Sequence, residues 1–275
     1  VAFHHALRIA SMEKGRLTVL HTHEDRESRH WNEFPRVRPL LENWGLIPPG
    51  TSRETVAESV LDVRKISSTG DDPVHASIEY LERHPHDLIV LATHQYSGLE
   101  RLRHKSIAES VAREAGEFVL FIPQGSTGFI DGLSGIINLR SVLIPVDVKP
   151  DPQAAVEAAA AMASVLKAAN VDFTVLYVGA EADAPDVRIF AREGWNWKLI
   201  CSTGAVTDVI LELADSLEAN VIVMATEGHN GILDAFRGST TERIVRQASC
   251  PVLAVPARPL SKDSLQELPV FSSAD

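Results

Sequence analysis

The chain has 275 residues, enough for one large domain or two domains of ordinary size, and its hydrophobic content of 45% is sufficient for real cores. Its formal charge of -11 argues against non-specific binding to DNA, RNA or anionic lipid. No apolar run reaches the ~18 residues that a membrane span needs, so we expect no membrane association. Two cysteines far apart in sequence, Cys201 and Cys250, favour a reduced, cytoplasmic compartment and offer no pair for a metal cluster.

Apolar periodicity divides the first part of the chain into short alternating elements. In chain order these are helix 1–14, strand 17–22, strand 62–67, helix 73–83, strand 88–92, helix 106–115 and strand 118–122. A helix already opens the chain at Val1. We therefore expect this half's own first strand in the roughly 16 residues upstream, by analogy with the second half.

Residues 24–61 interrupt this pattern as a long insertion that contains Trp31, Phe34 and Trp44. Aromatic side chains are usually buried, which favours a helical lid or packing segment. The alternative is an exposed surface that binds a partner protein.

A glycine-containing linker, 124–140, leads into the second part of the chain, and a polar tail, 257–275, ends it. Short apolar strands separated by helices predict a parallel sheet that is covered on both faces. The predicted elements of this part are strand 141–147, helix 151–169, strand 173–178, strand 196–202, helix 205–217, strand 221–225, helix 239–248 and strand 252–255.

The two parts follow one plan. A shift of 133 residues places residues 92–123 on residues 225–256 with 10 identities in 32 ungapped positions. A repeat of this kind indicates a duplicated domain. The predicted fold class is α/β, with two repeated Rossmann-like domains, 1–123 and 141–256. Each is expected to be a mostly parallel five-stranded sheet with helices on both faces.

The stretch 225–240 contains several glycines and stands between an apolar strand and a helix. Glycines allow the backbone to approach a ligand closely. The start of a helix offers unpaired N–H groups and the positive end of the helix dipole to an anion. This stretch therefore predicts a phosphate-binding loop.

With these residues in place, the chain resembles a tandem universal stress protein, once in each half. The family pattern Gly-x2-Gly-x9-Gly-Ser/Thr falls on Ala225, Gly228, Gly238 and Ser239, and the Asp that ends the family's first strand falls on Asp147. Alanine replaces the first glycine, a mild change that keeps the backbone N–H.

The resemblance implies that the second half binds an adenine nucleotide, as ATP or as ADP or AMP. Mg²⁺ could accompany the nucleotide, but the sequence requires no metal of the protein's own. By resemblance, Asp147 contacts the adenosine, and the backbone around Val178 meets the adenine edge. The loop at Ala225 and Gly228 passes close to the ribose and the phosphates.

At the other end of the nucleotide, Gly238, Ser239 and Thr240 are implied to hold the triphosphate through backbone N–H groups and hydroxyl donors. Each site residue also has a purely structural interpretation. Asp147 could order the loop before the next helix, Ser239 could be only a helix cap, and the glycines could only shape a turn.

The first half departs from the family pattern much more. Its equivalent positions are Ala92, Gln95, Lys105 and Ser106, so side chains replace two of the glycines. A side chain at a position that needs a positive φ costs roughly 1 kcal/mol or more, and it would also fill space near the phosphates. We therefore predict that the first half is degenerate and does not bind ATP in the family manner.

Catalytic and metal-binding motifs receive little support. His21, His23 and His94 stand at predicted strand ends, but their spacing matches no recognised metal site. The chain has neither a Gly-x-Ser-x-Gly nor a Gly-x4-Gly-Lys-Ser/Thr motif. We expect no dedicated enzyme, although slow ATP hydrolysis stays open.

The resemblance implies a stress-response protein that acts through its conformation or through an unidentified partner protein. The last strands of the two halves, 118–122 and 252–255, are expected to pair within the chain as an intramolecular pseudo-dimer, which protects two sheet edges. A further homodimer stays open. The alternatives are a nucleotide-free interaction scaffold of the same fold and a small-molecule hydrolase.

Overall fold

The computed structural model describes residues 1–23, 34–69, 73–84, 86–93, 117–226 and 240–257. The helices of these ranges are α1 Ala2–Met12, α2 Val37–Asn43, α3 Arg53–Ser59, α4 Pro73–Arg83, α5 Pro152–Val165, α6 Val206–Ser216 and α7 Thr240–Gln247. The strands are β1 Arg16–His23, β2 Asp62–Thr69, β3 Leu88–Thr93, β4 Phe118–Pro123, β5 Ser141–Val146, β6 Val171–Val178, β7 Trp195–Ser202, β8 Val221–Thr226 and β9 Val252–Pro256.

The elements predicted within these ranges are all present, with shifted ends, whereas the predicted helix 106–115 lies outside the described residues. The largest difference is that α5 ends at Val165 rather than at 169. Lys167 adopts a left-handed conformation with φ of 53°. The amides of Lys167 and Ala168 bond back to the carbonyls of Ser164 and Ala163, which closes the helix early.

Seven strands form the main sheet, in the order β3-β4-β9-β8-β5-β6-β7. The five strands of the second half are parallel to one another, as predicted. The first half joins them through the antiparallel pair β4–β9, in which Leu120 lies opposite Leu253. The predicted pairing of the last strands of the two halves is therefore confirmed, and it gives β4 and β9 a partner on both sides.

The first half differs from the second in the arrangement of its strands. Its β1 and β2 form a separate parallel pair, while β3 and β4 extend the main sheet. By the repeat, β1 corresponds to β6 and β3 to β8, and in the second half β5 lies between these two. Within the described ranges no strand lies between β1 and β3. The five-stranded parallel sheet is thus complete in the second half, and the first half contributes two strand pairs.

Helices cover both faces of the main sheet, because both faces of its strands are apolar. On one face, alanines of α5 pack on side chains such as Val142 and Val223 in a cluster that we call the α5-face cluster. On the other face, Ile210 of α6 and Ile244 of α7 pack on Leu143 in the opposite-face cluster. Burial on both faces explains the nearly continuous apolar runs of these strands.

The predicted linker 124–140 is a packed part of the core. Phe129, Ile130 and Leu139 are buried in the α5-face cluster, and Ile130 forms an isolated antiparallel bridge with Ile137. The tip is closed by Asp131, whose carboxylate accepts hydrogen bonds from the amides at positions 133 and 134. The segment therefore connects the halves by burial as well as by covalent continuity.

The described part of the 24–61 insertion packs inward. Leu41, Trp44, Ile47 and Val56 are buried together with Leu7 of α1, Leu17 of β1 and Leu61. This result confirms the packing interpretation for these residues, and Trp31 lies outside the described ranges.

None of the helices within those ranges combines the length and the apolar character needed to cross a bilayer.

Candidate functional site

The strand register brings three of the predicted site positions to one edge of the sheet. Val146 lies opposite Tyr177 in the β5–β6 pair, and Val142 lies opposite Val221 in the β5–β8 pair. Continued by one residue, the β5–β6 register sets Asp147 opposite Val178, the end of β6. The β5–β8 partners end at Leu143 and Ile222, and continuing that register by four residues sets Asp147 level with Thr226, the end of β8. The chain order also changes direction at β5, whose neighbours are reached through opposite faces of the sheet. A crevice outside the carboxyl ends at such a point is the usual ligand position in open α/β sheets.

Asp147 directly follows β5 and is exposed at this edge. Its Oδ1 accepts a hydrogen bond from the amide of Val148 at 2.7 Å. Its Oδ2 has no hydrogen-bond partner within the described residues. One carboxylate oxygen therefore orders the turn, as the structural interpretation expected, and the other has no competing partner among the described residues.

Val178 ends β6 and lies opposite Ser202 of β7. Its half-buried side chain packs against the opposite-face cluster. The next amide, of Gly179, donates to the Ser202 carbonyl at 2.8 Å. A Cβ on Gly179 would lie 2.7 Å from the Tyr177 ring, so this position cannot take a side chain unless the ring moves.

Ala225 is the position where this chain departs from the family glycine. Its half-buried methyl packs against the α5-face cluster, so the extra carbon is accommodated by the core. The following hydroxyl, of Thr226, donates to the Val255 carbonyl at 3.1 Å and ties the end of β8 to β9. The structure therefore offers no steric objection to alanine at 225.

Thr240 is the first residue of α7 and is half-buried. An ion pair between Glu242 and Arg246 at 2.7 Å joins successive turns of the same helix. The remaining predicted site residues, Gly228, Gly238 and Ser239, lie outside the described residues, and their roles remain predictions.

The end of β3 in the first half makes the same backbone hydrogen bond as the end of β8 in the second half. The Gln124 amide donates to the Thr93 carbonyl at 2.8 Å, and the Ala257 amide donates to the Thr226 carbonyl at the same distance. The hydroxyls differ, however. Thr93 Oγ1 is buried and has no hydrogen-bond partner among the residues that the structure describes, whereas Thr226 Oγ1 is bonded. Gln95, Lys105 and Ser106 lie outside the described ranges.

A cavity of about 370 Å³ lies elsewhere, at the amino-terminal edge of the same sheet. It is lined by Ile137, Leu139, Arg140 and residues 166–170. These residues precede β5 and β6, whereas the candidate site follows the same strands. The cavity and the candidate site are therefore at opposite edges.

The histidines and cysteines form no reactive centre in the part of the chain that the structure describes. The His21 ring contacts the Phe34 ring with centroids 5.8 Å apart, and the described residues contain no group of three or more potential metal ligands. Cys201 and Cys250 are both free thiols. Burial raises the pKa of Cys250 to about 12, so this thiol stays protonated at neutral pH.

The fold and the edge of the second-half sheet define a doubly wound α/β protein with a candidate ligand crevice. A family model described as the universal stress protein family matches residues 1–123 and 190–256, which is more than half of the chain. The chain therefore belongs to the universal stress protein family.

Individual relatives agree with this assignment. A universal stress protein of Synechocystis is 23% identical over 139 residues, which cover 44% of this chain and 88% of that protein. A universal stress protein E homolog of Haemophilus influenzae is 24% identical over 215 residues, 67% of this chain and 66% of that protein.

Solved structures agree on the fold. A universal stress protein from Archaeoglobus fulgidus matches with a TM-score of 0.59 at 16% identity, covering 92% of this chain and 91% of that one. A putative universal stress protein from Pseudomonas aeruginosa matches with a TM-score of 0.58 at 15% identity, covering 92% and 87%. At these identities the likeness concerns the fold alone.

Proposed function

We propose that the chain is a cytoplasmic stress-response protein that binds an adenine nucleotide, as ATP or as ADP or AMP, in its second half. The observation that carries this proposal is the strand register, which sets Asp147 level with the ends of β6 and β8. The exposed carboxylate and the ends of three parallel strands then border one crevice. The two free cysteines suit a reducing compartment.

In this proposal Asp147 contacts the adenosine, and the backbone around Val178 meets the adenine edge. Gly228 lets the chain pass close to the ribose and phosphates. Gly238 and Ser239, with Thr240 at the start of α7, hold the triphosphate through the N–H groups of the helix start.

The bound nucleotide is proposed to act by changing the protein's conformation or its binding to a partner protein, rather than as the substrate of a dedicated ATPase or kinase. A dedicated ATPase or kinase needs groups that stabilise charge on the transferred phosphoryl and orient its acceptor, and the sequence shows no such motif. Mg²⁺ would arrive with the nucleotide and needs no separate protein site. Slow hydrolysis is compatible with this function.

The two halves are proposed to be domains 1–123 and 141–256, joined by 124–140 and followed by the tail 257–275. The β4–β9 pair supports the view that they form an intramolecular pseudo-dimer. The first domain is proposed not to bind nucleotide, because Gln95 and Lys105 stand where the second domain has glycine.

Calorimetric titration of the full chain with ATP tests the proposal. We expect binding near one equivalent, and loss of binding in Gly238→Val, because a branched side chain would fill the phosphate site. Lys105→Val is the matched control at the equivalent position of the first half, and it should bind like the parent chain. Absence of binding to the parent chain would refute the nucleotide function and favour the interaction-scaffold alternative.

A further inference from the structure

His5 of α1 is fully buried and uses both of its ring nitrogens. Its Nε2 accepts a hydrogen bond from the amide of Phe129 at 3.1 Å. Because an amide N–H can only donate, Nε2 must be unprotonated, and the ring proton lies on Nδ1. Nδ1 then donates to the Val1 carbonyl at 3.1 Å. The contact therefore requires a neutral imidazole.

The environment of this ring leaves no space for rearrangement. The Phe129 ring meets the His5 ring edge-on with centroids 4.6 Å apart. A Cβ on Gly128 would lie only 2.2 Å from His5 Cε1. A histidinium ion here could not gain a water or an anionic partner without moving α1 away from the 124–140 segment.

Further contacts nearby join the first half to the same segment. Arg8 of α1 donates through Nε to the Gly135 carbonyl at 2.9 Å, and Trp44 donates through Nε1 to the Gly132 carbonyl at 3.2 Å. Segment 124–140 in turn buries Phe129 in the α5-face cluster of the second half. The His5 contact thus lies between the first half and the core of the second.

We infer that His5 is an acid-sensitive latch between the two halves: protonation of Nε2 sets two N–H donors against each other at Phe129 and releases α1 from segment 124–140. This role is separate from nucleotide binding. It needs no residue at the carboxyl ends of β5, β6 and β8.

The surroundings of the His5 ring lower its pKa and so favour the neutral form. Burial is the largest cause that lowers the pKa of His5, to about 4. His4 lowers this pKa further, the hydrogen bond to the Val1 carbonyl raises it, and segment 124–140 faces the ring with an amide and an aromatic ring. Because the folded pKa lies below the unfolded value near 6.5, the stabilisation is complete above about pH 6.5 and is lost as the pH falls toward about 4.

Hydrogen exchange of the full chain at about pH 7 and about pH 5, corrected for the intrinsic exchange rates, tests the latch. The linkage predicts that opening of residues 2–12 and 128–135 becomes roughly 20-fold more favourable at the lower pH. Openings of β5 and β6 that leave His5 buried should not change in this way, whereas global unfolding also exposes His5 and should gain the same factor. Unchanged protection of the latch residues would overturn the inference.

Two variants test whether the pH dependence of protection arises from the His5 ring. His5→Gln keeps an acceptor for the Phe129 amide but does not titrate, so its protection should not depend on pH. His84→Gln, on an exposed histidine just after α4, should keep the parental pH dependence. A parental pH dependence in His5→Gln would refute the latch.

An NMR titration of the unmodified chain covers the case in which His5→Gln does not fold. The Phe129 amide and the His5 ring should titrate together, at an apparent pKa well below the ordinary value near 6.5. Titration of the His5 ring near 6.5, or an amide shift that does not follow it, would equally refute the latch.

Discussion

The two halves of this chain end their equivalent strands in nearly the same way, yet only one half assembles a complete sheet edge. In the second half, β5 is hydrogen-bonded on both sides, and Asp147 stands between the ends of its neighbours. In the first half, β1 and β3 belong to different sheets. The difference indicates that a complete sheet edge depends on a central strand, and a copied strand end is not enough.

Burial of equivalent side chains gives the largest expected contrast between the halves. Leu176 of β6 is fully buried, whereas Leu20, its counterpart in β1, is half-buried. We expect Leu176→Ala to lower the free energy of unfolding by about 3–4 kcal/mol and Leu20→Ala by about 1 kcal/mol. Urea denaturation measures both. Equal losses would mean that the first-half sheet is packed as tightly as the second.

The segment between the halves gives the next contrast. Gly128 and Gly125 both have positive φ, 67° and 89°, but an added Cβ meets the His5 ring only at Gly128. We expect Gly128→Ala to cost about 2–3 kcal/mol, from backbone strain and overpacking, and Gly125→Ala about 1 kcal/mol from strain alone. Thermal unfolding compares the pair. A cost for Gly125→Ala as large as for Gly128→Ala would show that the His5 contact adds nothing.

The carboxylate at the second-half edge gives a smaller effect, on affinity. If Asp147 accepts a hydrogen bond from the nucleotide, Asp147→Asn should weaken ATP binding about tenfold, which corresponds to about 1.4 kcal/mol. Asp151→Asn is the control, because Asp151 caps α5 by accepting from the Gln153 amide, and asparagine caps as well. Unchanged affinity in Asp147→Asn would leave this residue only its turn-ordering role.

The paired threonines give the smallest contrast. Thr226→Val removes the bond to the Val255 carbonyl, and we expect a loss of about 1 kcal/mol in the free energy of unfolding. Thr93→Val removes a buried hydroxyl that has no partner within the described part of the chain, so it should be neutral or slightly stabilising. Denaturation curves of the two variants decide this. A clear loss from Thr93→Val would show that its hydroxyl is bonded in solution.

Much of the architecture could be predicted because it rests on local pattern. Apolar runs and helical periodicity located the strands and helices, and the 133-residue repeat revealed the duplication. The family resemblance also predicted that β4 and β9 pair within the chain, and the structure shows that this pair is antiparallel. The positions of Asp147 and Val178 followed from the rule that parallel strands end at one edge.

Other features depended on contacts between residues that are distant in sequence. The methyl of Ala225 faces the α5-face cluster, a direction that the motif cannot show. From its sequence, the segment 124–140 is predicted to be a glycine-containing linker. It is part of the core because Phe129 is buried in the α5-face cluster.

By itself, the sequence determined the elements, the repeat and the candidate loop, because each is set by neighbouring residues or by identity between the copies. Only the tertiary structure decided that β1 and β2 stand apart from the main sheet. It also decided that His5 meets the Phe129 amide across 124 residues of chain. These results depend on which side chains fill the same space, and local periodicity carries no information about that.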